Sequence, residues 1–216
     1  MTDFYEIRSI ALVLNLTVVS IGTYMYVKNR VFNLRQFWPF IAFSMPMAFL
    51  GAQLKLDERI FFLILGVSLL LASVFMALQA FKRKTNGKSF SLGKSGSLGG
   101  AVGFLSGVAG IGGGIFLSPI LNLSGWANAR SVAALASIFI LCNSMAGIGG
   151  LLMADSFSLK LSTVLILVIS VIIGGFLGSY ISNYKLNMHI IRGLTAVLIA
   201  YVGLRLILLH GFEISI

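Results

Sequence analysis

Seven stretches of this chain, 10–27, 38–54, 60–81, 98–121, 132–154, 161–182 and 190–209, are long, apolar and poor in charge. A helix crosses the hydrocarbon core with about 20 mostly apolar residues. Lipid offers no partner to a bare amide or carbonyl, so such stretches form continuous or broken helices, never open strands. The runs Phe61-Phe62-Leu63-Ile64-Leu65 and Val164-Leu165-Ile166-Leu167-Val168 lack the alternation a β-barrel needs. The expected fold class is therefore all-α: a polytopic helical membrane protein of about seven transmembrane segments.

Composition removes the alternatives. Only 10% of the residues are charged and 58% are hydrophobic, with a mean hydropathy of +0.99. Soluble domains carry about 25% charged residues, so this chain could not cover a water-facing surface. Disorder, a collagen-like chain, a disulfide scaffold and a nucleic-acid module are excluded. The net charge of +10, from 16 Lys+Arg against 6 Asp+Glu, reads as cytoplasmic loops facing anionic headgroups. The start, Met1-Thr2-Asp3-Phe4-Tyr5-Glu6, has two acids and no basic run. It makes a poor signal peptide, and the first helix is expected to be retained.

The segment 82–97 holds Lys82, Arg83, Lys84, Lys88 and Lys94 among Gly and Ser. It reads as a basic cytoplasmic linker, on the same side as Lys28, Arg30 and Arg35. Its Gly87-Lys88-Ser89 and Gly93-Lys94-Ser95 tripeptides are not P-loops. The further upstream glycine that motif requires is replaced by Lys82 and Lys88.

The linker divides a duplication. Arg8-Ser9-Ile10-Ala11 recurs as Arg130-Ser131-Val132-Ala133, and Phe49-Leu50-Gly51 as Phe176-Leu177-Gly178. The three segments in 1–81 therefore pair with the last three of 98–216, and segment 98–121 has no counterpart. Duplicated polytopic proteins hold solutes where the repeats meet, near mid-membrane. If all seven segments cross, 10 basic residues lie inside and 6 outside. If 98–121 turns back, the division is 11 to 5 and the repeats are inverted.

Segment 98–121 is rich in glycine. Four of the five residues 110–114 are Gly, and each costs a helix interior roughly 0.8–1 kcal/mol relative to Ala. Pro119 lacks an amide hydrogen and disfavours helix at Ser118. Two half-helices meeting at an unwound 110–114 are expected, with amides exposed at the positive end of the second. Gly112, Gly113 and Gly114 are the candidate anion-binding backbone. Gly103 and Gly107, and Gly178 with Gly174, have the small-xxx-small spacing of helix packing. Gly110 and Pro119 shape the break.

The string G-F-L-S-G-V-A-G-I-G-G-G-I-F-L-S-P at 103–119 resembles the second-repeat signature of the TauE/SafE sulfite-exporter family of permeases. Arg130-Ser131-Val132-Ala133 through Cys142-Asn143-Ser144 fits the next helix of that family, and Gly174-Gly175-Phe176-Leu177-Gly178 a later one. Ser9-Ile10-Ala11-Leu12-Val13-Leu14-Asn15 and Pro46-Met47-Ala48-Phe49-Leu50-Gly51 resemble its first repeat. The resemblance implies secondary transport of sulfite, organosulfonates or other small anions across the bacterial cytoplasmic membrane. It departs at the front, where family members carry a first glycine-rich helix equivalent to 98–121, and the chain starts after it.

Within the spans Asn15 and Asn143 are the notable polar residues, with Ser106, Ser118 and Ser144 behind them. Each either contacts the solute or bonds a neighbouring helix or its own backbone. No Asp or Glu lies mid-span, so coupling through a buried acid is not expected. His189 and His210 are not spaced as metal ligands, no nucleophile–base pair is visible, and no cofactor is called for. The function expected is a permease for a small anion, partnered by the bilayer and open to homo-oligomer formation. The alternative is a non-transporting fragment that acts as a membrane assembly partner.

Overall fold

The computed structural model describes residues 4–31, 33–81, 90–185 and 188–211. They form eight helices: α1 Phe4–Lys28, α2 Leu34–Gln53, α3 Glu58–Phe81, α4 Leu92–Ala109, α5 Gly114–Ser124, α6 Ala129–Met153, α7 Leu161–Lys185 and α8 Met188–Gly211. No strand occurs among the described residues. Among the described residues, four stretches are long and apolar enough to cross a membrane: Tyr5–Lys28, Glu58–Gln79, Ala129–Met153 and Arg192–Gly211. Part of the expected linker, 82–89, lies outside the described residues, and its last residues open α4.

The chain forms two compact units, and each draws helices from both sides of the linker. One comprises Met1–Lys55 and Thr85–Ile173, the other Leu56–Lys84 and Gly174–Ile216. In the second, α3 and α8 run antiparallel. Arg59 at the start of α3 donates to the Gly211 carbonyl at the end of α8, 2.9 Å away. Phe62 stacks on His210 with ring centroids 4.2 Å apart, and Gly66 faces Gly203.

In the first unit α1 and α6 also run antiparallel. Leu12 lies against Gly147 and Leu151, and farther along Thr23 Oγ donates to Ser137 Oγ at 3.3 Å. The helices that the sequence pairs as repeats, α1 with α6 and α3 with α8, therefore oppose each other in direction.

Segment 98–121 explains how. After α4 the chain loops through 110–113, and α5 returns toward the face at which α4 begins. Gly113 sits beside Val102 and Ser106, back along α4. Trp126, just past α5, packs on Phe37 and Phe40 in the first turns of α2, with centroids at 6.1 and 5.4 Å. The same Trp126 shares a cavity with Ser95 near the start of α4. The segment is a hairpin that turns back on itself, the arrangement for which the basic residues would divide 11 to 5.

Three local expectations change. Gly114 is the first residue of α5, not part of the unwound stretch, and Pro119 lies inside α5 without ending it. A proline deletes one helical bond, and protein packing around a membrane helix tolerates that loss; Pro119 is buried here. Gly174 was expected to pack a neighbouring helix, yet a Cβ there would meet nothing within 4 Å. The surroundings of Gly178 lie outside the described residues.

Candidate functional site: a glycine break beside unpaired polar side chains

The break is held in place by a glycine seam. Along one face of α4, Gly99, Gly103 and Gly107 lie on Phe40, Ser44 and Ala48 of α2. A Cβ at Gly99 would stand 2.5 Å from the Phe40 carbonyl oxygen, and one at Gly103 2.5 Å from that of Ser44. One at Gly107 would run into the Ala48 carbonyl. Only hydrogen-bearing α-carbons allow backbones this close, the packing role expected of Gly103 and Gly107.

At the top of the seam α4 ends on Gly110, whose φ of 71° is left-handed and whose amide donates to the Ser106 carbonyl at 2.8 Å. Gly112 and Gly113 are also left-handed, with φ of 70° and 80°. A side chain at such angles costs roughly 1–2 kcal/mol, so glycine is dictated by conformation as well as by space. The first intrahelical bonds of α5 run from Phe116 and Leu117 to the Gly113 carbonyl. The amides of Gly114 and Ile115 precede them and are left as donors.

The polar residues singled out in the sequence come together here. A Cβ on Gly112 would lie 3.2 Å from both Asn15 Nδ2 and Ser144 Oγ, and one on Gly113 would lie 3.1 Å from Ser106 Cβ. Asn143 precedes Ser144 and follows Phe139 and Ile140 by one turn. Those two side chains touch Gly113 and both Gly112 and Gly114 respectively, so Asn143 faces the same region. Asn15 and Asn143 fall near the midpoints of α1 and α6, at the depth where transporters hold solutes.

Their hydrogen bonding is incomplete. Ser106, Asn143 and Ser144 are each 0% exposed. Ser106 Oγ, Ser144 Oγ and both amide atoms of Asn143 have no partner. Buried polar atoms are paired in the great majority of cases, and leaving an amide unpaired costs about 1–3 kcal/mol. Three such residues therefore cluster around one helix N-terminus. Ser118, by contrast, is engaged: its carbonyl and hydroxyl accept from Asn122 at 2.8 and 3.4 Å.

Sequence reasoning missed Arg8. It lies inside α1, 1% exposed, with its side chain against Gly110. Its Nη2 donates to the carbonyls of Gly107 at 2.9 Å and Ala52 at 3.2 Å, and Nη1 to that of Leu54 at 3.5 Å. One guanidinium thus neutralises the negative ends of α2 and α4. The clue was its place in the repeated Arg-Ser-x-Ala. Nearby Glu6, also buried, pairs with Lys160 at 3.1 Å, and Ser9 Oγ accepts from the Ser158 amide at 3.2 Å.

At the face where α4 begins, a cavity of about 430 Å³ opens between Arg35, Gln36, Ser95 and Trp126. The fully buried Phe37 and Phe40 lie behind Trp126.

Apolar helices long enough to cross a bilayer, with a glycine hairpin that turns beside an unpaired polar cluster, define a multi-pass helical membrane protein. The sulfite exporter TauE/SafE family matches residues 4–206, and the chain belongs to that family. A probable membrane transporter protein of Sinorhizobium fredii is 34% identical over 148 residues, 67% of this chain. The chain spans 60% of that curated relative's length. No solved structure matches.

Proposed function

We propose that the chain is a permease that moves a small anion, sulfite or an organosulfonate, across the cytoplasmic membrane by alternating access. The observation that carries this reading is the unpaired set Ser106, Asn143 and Ser144 beside the free N-terminus of α5. Roughly half a positive charge resides at a helix N-terminus. The Gly112–Gly113–Gly114 amides, Asn143 Nδ2, Asn15 Nδ2 and the two hydroxyls supply donors without a mobile cation. The family's name is consistent with such a solute.

Access follows from the re-entrant hairpin. In this reading the cavity beside Arg35 and Trp126 serves as the mouth on the linker side, with Phe37 and Phe40 packed against Trp126 at its wall. Moving these aromatic rings aside opens the site to that face. Sulfite and alkanesulfonate flux into proteoliposomes tests the reading. Wild-type protein supports flux above protein-free vesicles, and Gly113→Leu abolishes it. Flux unaffected by Gly113→Leu overturns the glycine site.

A further inference from the structure

We infer that the site takes its solute as a singly charged anion and, among such anions, favours one that still carries a proton, an inference that rests on the permease reading above. The first argument is charge. The side chains around the break on α4, α5 and α6 are Val102, Ser106, Phe139, Ile140, Asn143 and Ser144, all uncharged. The cation nearest in the fold, Arg8 on α1, directs its Nη groups to three main-chain carbonyls at the ends of α2 and α4.

The positive potential at the site is therefore that of one helix terminus, about half a charge. The cost of taking an ion from water rises with the square of its charge. A dianion loses about four times the hydration of a monoanion of equal size, and a single dipole gains only twice the attraction. The monoanion wins.

The second argument is hydrogen-bond matching. The unpaired atoms are not all donors. Asn143 Oδ1 is a buried acceptor, 0% exposed and without a partner, and an amide oxygen can only accept. A fully ionised oxyanion has no hydrogen to offer it and leaves it unsatisfied. A protonated oxyanion donates its O–H to Oδ1 while its charged oxygens accept from the amides and hydroxyls. Hydrogensulfite has this form, and sulfite does not.

Two probes in proteoliposomes decide. Sulfite flux at fixed total concentration is followed from one pH unit below its second ionisation to one unit above. Methanesulfonate, permanently singly charged and without a proton, is followed over the same range. The titratable groups on the elements around the break are Tyr5, Glu6, Arg8, Tyr24, Tyr26 and Lys28 on α1 and Cys142 on α6, with Arg35, Lys94 and Arg130 at the helix starts. Methanesulfonate reports any effect that arises from them.

Sulfite flux is expected to fall about tenfold, with the monoanion fraction, while methanesulfonate flux, lower than that of hydrogensulfite because it has no proton to offer Asn143 Oδ1, stays level. Sulfite flux that ignores pH, or rises with it, overturns the inference and leaves the permease reading standing. Parallel declines of both probes place the titration in the protein and overturn it also. No flux of either probe at any pH overturns the permease reading itself.

Discussion

Replacing Asn143 by leucine should make the protein more stable and inactive. Asn143 is fully buried, and both of its amide atoms are unpaired. Mutational data put the penalty for such a group at about 1–3 kcal/mol. Leucine is of similar size and branches in the same place, so Asn143→Leu removes the penalty with little change in packing. For a chain of this length each kcal/mol moves the midpoint by roughly 2–4 °C. The expected rise is therefore roughly 2–12 °C in detergent, read by thermal unfolding. Ser144→Ala, which adds no atoms, should move the same way by less.

The same assay separates site from scaffold. A ligand at 100 times its Kd stabilises a protein by about 2.7 kcal/mol. Sulfite should raise the wild-type midpoint and leave that of Asn143→Leu unmoved. If Asn143→Leu lowers the midpoint, Asn143 serves the packing of the bundle. The assignment of its unpaired atoms to a solute is then refuted.

The remaining expectations concern neighbouring parts of the hairpin. Gly100→Ala and Gly103→Ala gain the same helix propensity, but a Cβ at Gly100 has 3.7 Å of clearance and one at Gly103 strikes the Ser44 backbone. Their difference isolates the steric term, about 1–3 kcal/mol against Gly103→Ala, measurable as a gap in unfolding midpoint. Ile140 covers Gly112 and Gly114, so Ile140→Ala should admit larger sulfonates about tenfold better relative to sulfite, read by competition in flux assays. Arg8→Met strands carbonyls at the ends of α2 and α4, and at about 1–3 kcal/mol for each buried group it should sharply lower the yield of folded protein in detergent.

The sequence by itself determined the class of the fold, because the scarcity of charge leaves no other medium in which these segments can be buried. It also determined where segment 98–121 breaks, since consecutive glycines at 112–114 penalise helix whatever surrounds them. The family resemblance was legible in the same residues. Even the polar candidates Asn15, Ser106, Asn143 and Ser144 were visible as rarities inside apolar runs.

What the sequence could not decide was direction and company. Whether α5 continues across the membrane or folds back depends on φ values at Gly110, Gly112 and Gly113, and glycine permits either outcome. Whether Asn143 bonds a helix or stays unpaired depends on which side chains α1 and α4 bring beside it, a matter of contacts between residues far apart in the chain. Arg8 looked like the flank of a span until tertiary packing placed the ends of α2 and α4 around its guanidinium. Local energetics fix which segments are helical. The long-range fit of backbones along the Gly99–Gly103–Gly107 seam fixes what those helices hold between them.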